Sequence, residues 1–574
     1  MSVPAVVLRR VAVLGGRDKA LLVSAVEGIP GMGLSRLSTG TWYIKGMSNG
    51  ITLLRAWWLL LSLHFLGAYH CYLAALSDRG NRMTLLWQRS DIWDLFLALA
   101  VPAAAAAAAG LLIRRRCAGE PGRRAFHQLW ILYAAVAGWS FLGRASAVQV
   151  FPRLAEFLPL GGGVAAIHVI EGALKAAALG AGGYWALRGP VRLSRLLQLL
   201  ILVLSPVVPI ALGQALFLRT YRVTSDAPTA TPAPGPGVYL FLFDEWSYER
   251  TFSGSRPRPD LPRLRELAGQ AVVAHRAFSP RTITLESVPR LLSMAPLGLV
   301  QHDAITFDRR MSEVLSDNVF RMARIHGFAT YAAGYYLPYA DWFGADLDHA
   351  RCFTGLKPRD LPARLLHTLW RLHRDNLILR IPPLDAWLTR RVYRDLCLAR
   401  LQGVHSAALG EAGRPGGRAF DFFHYPLPHD MVTQNREFGD ASGTGGDPAA
   451  LYGAALRDAD RLLGELMDGL KSAGKWEDSL VVFTSDHGWR DDPQPVQPET
   501  SSCHVPLIIK LPRQRRGEDS LAAFDTRRLR EILRDAARGG VSEGALRASA
   551  AVRHLRSGRR DELSTCDRLP YPPL

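Results

Sequence analysis

The chain has 574 residues, which is too long for one ordinary domain, and a formal net charge of +18. The charge is not accompanied by a nucleic-acid-binding motif, and many arginines lie in short loops between apolar runs, which argues against a nucleic-acid-binding protein and for a membrane protein. The six cysteines form no C-x-x-C pair, so zinc-ribbon and thioredoxin-like signatures are absent.

The first part of the chain is predicted to be a membrane domain at residues 51–219. Residues 1–50 show no domain-like pattern, and Met47, just before the first apolar run, is an alternative start of the native chain. A membrane helix needs about 20 mostly apolar residues. Five runs are predicted to be spans: Ile51 to Leu76, Ile92 to Ile113, Phe126 to Leu142, Leu158 to Leu187 and Leu196 to Leu218.

The arginines between these runs predict the orientation. The densest cluster, from Arg114 to Arg124, lies between spans two and three, and Arg188 to Arg195 precede span five. Both groups should be cytoplasmic, because positive residues are retained on that side. The loop from Arg79 to Arg89 disagrees with this orientation, but it is less dense in arginine. We therefore predict a multi-pass protein of the cytoplasmic membrane, with everything after Leu218 on the periplasmic or extracellular side.

The second part of the chain alternates short apolar strands with amphipathic helices. A Pro-rich linker at 220–237 precedes a predicted catalytic domain at 238–512, and an Arg-rich tail with a helical pattern from Thr526 to Ala537 occupies 513–574. The predicted strands are Val238 to Phe243, Val272 to Phe278, Phe328 to Ala333, Ala419 to His424, Leu480 to Thr484 and Val505 to Leu511. The predicted helices include Leu261 to Gln270, Met311 to His326 and Ala449 to Ala473. This alternation predicts an α/β fold with a doubly wound, mainly parallel sheet.

Two of these strands end in candidate metal ligands. Asp486 and His487 follow the strand from Leu480, and Asp244 and Glu245 follow the strand from Val238. Open α/β sheets bind ligands at the carboxyl ends of their strands, and carboxylate oxygen together with imidazole nitrogen suits zinc or manganese. The alternative is that these residues only cap the elements that follow.

A threonine and two histidines complete the set of candidate residues. Thr284, in the segment Thr-Leu-Glu-Ser-Val-Pro, precedes a predicted helix, where its hydroxyl could be a nucleophile or only an N-cap. His429 and His504 lie in segments predicted to be loops. They could hold phosphate oxygens and protonate a leaving group, or they could be structural.

These residues follow the order found in the alkaline phosphatase superfamily, and residues 237–512 resemble its sulfatase-like branch. Type I sulfatases have a Cys or Ser, within a C-x-P-S-R-like segment, that becomes formylglycine. Here the matching residue is Thr284, and the segment to Pro289 resembles the T-x-x-S-V-P segment of phosphoethanolamine transferases. Those enzymes and the lipoteichoic acid synthases also have five membrane spans before an external catalytic domain. The resemblance therefore argues against sulfate-ester hydrolysis.

The resemblance implies a metal-dependent transferase. Asp244, Thr284, Asp486 and His487 would hold the metal, and Glu245 would be a second possible acidic ligand, because the transferases have a single Glu where this chain has Asp-Glu. A phospho-head-group would pass from a membrane lipid to a cell-envelope glycan or lipid through a phospho-threonine. The alternatives are a phosphodiesterase or phosphatase of the same fold, and a catalytically degenerate membrane assembly partner.

Overall fold

The computed structural model describes most of the second half and shorter stretches of the first. In the second half, the described residues are 220–226, 235–294, 315–353, 382–414, 417–430, 447–495 and 500–557, with a few single positions between them. In the first half, the longest described stretches are 54–62, 89–116 and 187–217. The chain divides into two compact units, Met1–Ala74 with Ile92–Phe217 and Arg371–Arg380, and Ala75–Asp91 with Leu218–Trp370 and Ile381–Leu574.

The first unit contains apolar helices. Its described elements are the antiparallel strands β1 (Gly33–Arg36) and β2 (Trp42–Lys45), most of helix α1 (Arg89–Arg116), and helices α2 (Pro190–Leu204) and α3 (Val207–Phe217). Two helical stretches in the described residues are long and apolar enough to cross a membrane, Asp91–Ile113 and Pro190–Ile210. They coincide with predicted span two and overlap span five. The other three predicted spans fall mostly outside the described residues, so the five-span bundle stays a prediction.

The second unit is built around a nine-stranded sheet. Its strands are β3 (Thr224–Asp226), β4 (Val238–Asp244), β7 (Val272–Phe278), β8 (Ala329–Gly334), β9 (His349–Cys352), β10 (Ala419–Pro428), β11 (Leu480–Ser485), β12 (His504–Lys510) and β13 (Glu518–Asp525). A small separate hairpin contains β5 (Phe252–Ser253) and β6 (Arg256–Pro257). The helices are α4 (Tyr248–Thr251), α5 (Pro262–Ala268), α6 (Thr284–Leu292), α7 (Val319–Ile325), α8 (Tyr339–Trp342), α9 (Pro382–Gly413), α10 (Pro448–Ser472), α11 (Leu529–Arg538), α12 (Glu543–Ala548) and α13 (Ala550–Ser557).

The sheet is mixed and mainly parallel. Its strand order is β13-β7-β12-β11-β4-β10-β8-β9-β3. Five consecutive strands, β11, β4, β10, β8 and β9, pair in parallel. Two strands run in the opposite direction, β12 between β11 and β7, and β3 at the edge beside β9. The predicted mainly parallel α/β sheet is therefore confirmed.

Helices cover both faces of the sheet, as a doubly wound fold requires. Along β4, Leu240 and Leu242 lie in one apolar core, whereas Phe241 and Phe243 lie in the other, because successive side chains point to opposite faces. Helices α6, α7 and α11 contribute to the first core, and α5, α9 and α10 contribute to the second. A strand covered on both faces has no polar side, which explains its continuous apolar sequence.

Three elements differ from their predictions. Strand β10 continues through His424 to Pro428, a segment predicted to leave the strand at His424. Helix α6 begins at Thr284 itself, a residue that was predicted to precede the helix. Strand β13 pairs with β7, so the sheet continues into residues predicted to be an Arg-rich tail. In β13 the charged ends, Glu518 and Asp525, obscure the short apolar middle that packs on the core.

Candidate active site

The sheet topology brings the two predicted metal-binding strand ends together. Strands β4 and β11 are parallel neighbours in which Phe243 lies beside Ser485. The backbone N–H of Asp486 donates to the carbonyl of Phe243 at 3.2 Å. Asp244 and Asp486 therefore leave the same edge of the sheet side by side, at the end where α/β sheets place their ligands.

The turn after Asp244 has a strained backbone. Glu245 has a φ of 62°, which is rare for a residue with a side chain. Three hydrogen bonds hold the turn. The Glu245 N–H donates to Asp486 Oδ1 at 3.1 Å, the Tyr452 hydroxyl donates to the Glu245 carbonyl at 2.6 Å, and the Trp246 N–H donates to Ser485 Oγ at 2.8 Å. Strain of this kind is typical of functional sites, where the surroundings enforce it.

Thr284 is the first residue of helix α6 and not its N-cap. The cap position belongs to Ile283, whose side chain makes no capping hydrogen bond. One turn later, the Ser287 hydroxyl donates to the carbonyl of Asp486, which ties the start of α6 to the end of β11. The Thr284 hydroxyl is therefore available for another role.

The side chains of Thr284, Asp244, Asp486 and His487 form a buried cluster. Thr284 Oγ1 lies 3.3 Å from His487 Nε2 and 3.5 Å from Asp244 Oδ1. His487 Nε2 lies 3.6 Å from Asp244 Oδ1 and 3.4 Å from Asp486 Oδ2. Ligand atoms bound about 2.0–2.2 Å from a tetrahedral cation lie about 3.3–3.6 Å apart. These four distances fit a single divalent cation.

The hydrogen bond of the His487 ring supports the same interpretation. His487 Nδ1 lies 2.9 Å from the carbonyl oxygen of Gly488, which can only accept, so Nδ1 carries a proton. In the neutral ring, Nε2 then presents a lone pair to the oxygens of Asp244 and Asp486. Acceptors that face each other in a buried site are unfavourable unless a cation lies between them. The donor set, two carboxylates, an imidazole and a hydroxyl, suits zinc or manganese.

His424 is a fifth residue of this cluster that sequence reasoning missed. Ligand atoms of Asp244, His424 and Asp486 all lie within 4.8 Å of one another. His424 Nδ1 pairs with the Tyr339 hydroxyl at 2.7 Å, whereas His424 Nε2 and Asp486 Oδ2 have no hydrogen-bond partner in the described part of the chain. Burial lowers the pKa of His424 to about 4, which favours the neutral form that metals require. The sequence signal that could have identified His424 is its position within the apolar run of a buried strand.

Tyr335 also contacts the cluster, since its hydroxyl donates to Asp244 Oδ2. Gly488 follows His487 because a Cβ there would collide with the carbonyl of Ser501. The approach of that segment is what requires glycine in the Ser-Asp-His-Gly motif.

The carboxylate of Glu245 contacts two basic side chains, Arg490 and His429. Its Oε1 accepts from Arg490 Nε at 2.7 Å, and its Oε2 lies 3.1 Å from His429 Nδ1. Of the two acidic residues predicted at this strand end, Asp244 lies in the four-residue cluster and Glu245 is paired with Arg490 and His429. Arg490 was missed because nothing in its sequence context distinguishes it from a surface arginine.

His504 lies in a neighbouring polar group. Its Nε2 pairs with the His275 carbonyl at 3.0 Å, and its ring stacks on Tyr248 at 4.3 Å and on Phe278 at 5.0 Å. Its Nδ1 lies 3.8 Å from Glu249 Oε1. These contacts do not join it to the Thr284 cluster, so its predicted role on phosphate oxygens stays a prediction.

The family assignment follows from the segment that contains these residues. Residues 238–522 match the family model described as Sulfatase. This domain belongs to the sulfatase-like branch of the alkaline phosphatase superfamily. The sulfatase-like domain contains every predicted site residue, from Asp244 to His504, and is that of an enzyme acting on sulfate or phosphate esters.

Solved structures that are similar to the chain include a phosphonate monoester hydrolase, a lipoteichoic acid synthase and a periplasmic domain. The hydrolase from Agrobacterium radiobacter is 20% identical, with a TM-score of 0.33, over 57% of this chain and 79% of its own. The lipoteichoic acid synthase LtaP from Listeria monocytogenes is 14% identical, with a TM-score of 0.35, over 54% and 74%. The C-terminal periplasmic domain of EcEptC from Escherichia coli is 13% identical, with a TM-score of 0.34, over 55% and 85%. No curated protein sequence matches the chain.

Proposed function

We propose that the protein is a membrane-bound, metal-dependent transferase that moves a phospho-head-group from a lipid to a cell-envelope glycan or lipid. The observation that supports it is the position of Thr284. Its hydroxyl lies at the start of a helix and within 3.3–3.5 Å of the two groups, His487 Nε2 and Asp244 Oδ1, that would share a cation with it. A threonine in this place cannot become formylglycine, but it can form a phosphate ester.

Asp244, Thr284, Asp486 and His487 would hold the cation, zinc or manganese. When bound, it would lower the pKa of the Thr284 hydroxyl and offset negative charge on the phosphate oxygens. Helix α6 begins at Thr284, so the positive end of its dipole also favours an alkoxide there.

The transfer has two steps. Thr284 Oγ1 first loses its proton to solvent. It then forms a bond to phosphorus as the bond to the diacylglycerol oxygen breaks, and that oxygen takes a proton from His429. An acceptor hydroxyl then attacks the phospho-threonine, gives its proton back to His429, and the bond between phosphorus and Oγ1 breaks. His429 is the histidine assigned this role because its side chain is 28% exposed and it reaches the turn beside Asp244 through Glu245. His504 is a second candidate.

The lipid donor is proposed from the apolar helices of the first unit. Asp91–Ile113 and Pro190–Ile210 are long enough to cross a bilayer. A catalytic domain tethered on the outer side of the cytoplasmic membrane would meet phospholipid head groups without extracting the lipid. The proposed partners are therefore a membrane lipid as donor and a glycan or second lipid as acceptor, and no nucleic acid.

The decisive experiment is the substitution Thr284→Ala, with Thr284→Ser as its matched control. With the full chain in detergent and a head-group-labelled phospholipid, we expect Thr284→Ala to lose at least ~10³-fold of the activity, because no oxygen remains to form the covalent intermediate. Thr284→Ser should keep measurable activity. Mass spectrometry should find the label on the peptide containing residue 284 in the active protein. Full activity of Thr284→Ala would refute the covalent mechanism.

A hydrolase is the second candidate, favoured by the match to a family described as Sulfatase. In a phosphodiesterase or phosphatase, water would resolve the phospho-threonine in place of an acceptor hydroxyl. The same labelled lipid separates the two functions. Label that appears on an added glycan or lipid acceptor supports transfer, whereas label released only as a free small molecule supports hydrolysis.

A further inference from the structure

Arg490 borders the proposed catalytic centre, and the reaction described above does not use it. It lies four residues beyond Asp486, in the segment that follows β11. Its side chain is 38% exposed, whereas those of Asp486 and His487 are fully buried. The negative charges of Asp244 and Asp486 both act on its guanidinium. Arg490 therefore combines proximity to the buried cluster with access to solvent.

Glu245 fixes the position of this guanidinium. The Glu245 carboxylate is buried and accepts from Arg490 Nε at 2.7 Å, and His429 lies 3.1 Å away on its other oxygen. One N–H of Arg490 is used in this contact, and a guanidinium has five. The other N–H groups of the Arg490 guanidinium belong to the same partly exposed side chain, at the edge of the buried cluster.

We propose that Arg490 binds the non-bridging oxygens of the phosphate group of the substrate, and that Glu245 is a positioning residue that orients Arg490. This inference rests on the proposed function and names a residue that selects its substrate class. A planar guanidinium can bind two phosphate oxygens at once, which a lysine ammonium cannot do. The ligands expected at Arg490 are phosphate monoesters and phosphate diesters. Inorganic phosphate is the simplest ligand of the same chemistry.

The local charges argue against a purely structural ion pair. A surface pair would leave both partners exposed and would contribute little. Here only the arginine reaches solvent, while the carboxylate is buried beside Asp244 and Asp486. Three carboxylates at one site repel a phosphate anion unless cations stand between them and the substrate. Arg490 and His429 are the cations that pair with Glu245.

Binding of inorganic phosphate tests this inference without turnover. Calorimetric titration of the full, metal-loaded chain in detergent should show that Arg490→Gln and Arg490→Lys weaken phosphate binding about 10-fold or more. Glu245→Gln should weaken it less and leave the bound metal unchanged. The control Arg258→Gln removes another ion-paired arginine, held by Asp260 at 2.8 Å, and should bind phosphate as the unmodified protein does.

Each other outcome is decisive. Unchanged phosphate affinity in Arg490→Gln would overturn the inference, and loss of metal in Glu245→Gln would make Glu245 a ligand and not a positioning residue. If Arg490→Gln unfolds, the double variant Glu245→Gln/Arg490→Gln, which leaves no unpaired carboxylate, takes its place with the same expected loss. Arg490-dependent phosphate binding in a protein with no turnover of any phospholipid would instead refute the proposed function and leave this inference standing.

Discussion

Asp244 and Glu245 are adjacent carboxyl groups with opposite pKa shifts. Burial, and then the charge of Asp486, raises the pKa of Asp244 well above its usual value. Burial also acts to raise the pKa of Glu245, but the charge and hydrogen bond of His429, together with the charge of Arg490, lower it to about 2. Glu245 therefore already has its counter-charges, whereas Asp244 and Asp486 need one. This difference identifies the side of the turn where a divalent cation would bind.

The role of His424 can be tested by its effect on metal binding. His424→Gln should lower the affinity of the protein for zinc or manganese about 10–100-fold, since the substitution removes an imidazole nitrogen near both aspartates. Metal content after dialysis against a graded chelator measures this. The control is His405→Gln, which removes a buried histidine paired with Glu465 at 2.8 Å. Unchanged affinity in His424→Gln would show that His424 is only a core residue.

At the scale of elements, helices position the site through contacts with other helices and strand ends. Helix α5 begins at Pro262 and has no capping side chain of its own, because its N-cap residue is Leu261. Its first free N–H groups, those of Arg263 and Leu264, are accepted by Asp460 of α10 at 3.2 and 2.7 Å. Both helices pack on the same face of β4 as Phe243. Asp460 of helix α10 thus caps helix α5, and both helices pack against β4.

We expect Asp460→Ala to destabilise the sulfatase-like domain by about 1–3 kcal/mol, because two N–H groups would lose their acceptor. Urea unfolding monitored by circular dichroism measures the change. The matched control is Asp458→Ala on the same helix. Asp458 is 43% exposed, and its ion pair with Arg461 is long, at 4.0 Å. Its removal should therefore change the free energy of unfolding little. Equal effects of the two substitutions would refute the capping role.

At the scale of the whole molecule, the chain combines apolar helices with a charged catalytic domain. The described residues contain two helical stretches that could cross a membrane, and the sulfatase-like domain follows them in the chain. Part of the Arg-rich tail predicted after Pro512 is folded against the sulfatase-like domain. Helix α11 buries Leu529, Ile532 and Leu533 against the sheet core, so its apolar face packs on protein.

The predicted orientation can be tested with reporter fusions. An enzyme reporter that is active only outside the cytoplasm should be inactive when fused after Arg116 and active when fused after Pro234. The expectation follows from the arginines between the second and third predicted spans, which favour the cytoplasmic side. A cytoplasmic reporter, fused at the same two sites, should give the reverse pattern. Activity of the first reporter at Arg116 would contradict the predicted topology.

The sequence by itself determined most of the central elements of the sulfatase-like domain and the candidate residues at their ends. Apolar runs marked β4, β7 and β11 almost to the residue, because side-chain periodicity and burial on both faces are local properties. Polar residues directly after such runs identified Asp244, Asp486 and His487. Thr284 was found through its segment, and its resemblance to a known motif led to phosphoryl chemistry.

Only the tertiary structure decided which of these residues meet. Strand pairing joins segments that are distant in the chain, so the placement of β4 between β10 and β11 could not be read from any one segment. That placement adds His424 to the aspartates and brings Arg490 and His429 to Glu245. It also extends the sheet to β13. Local patterns specify where a strand ends, whereas the shared burial of distant strands decides what lies beside that end.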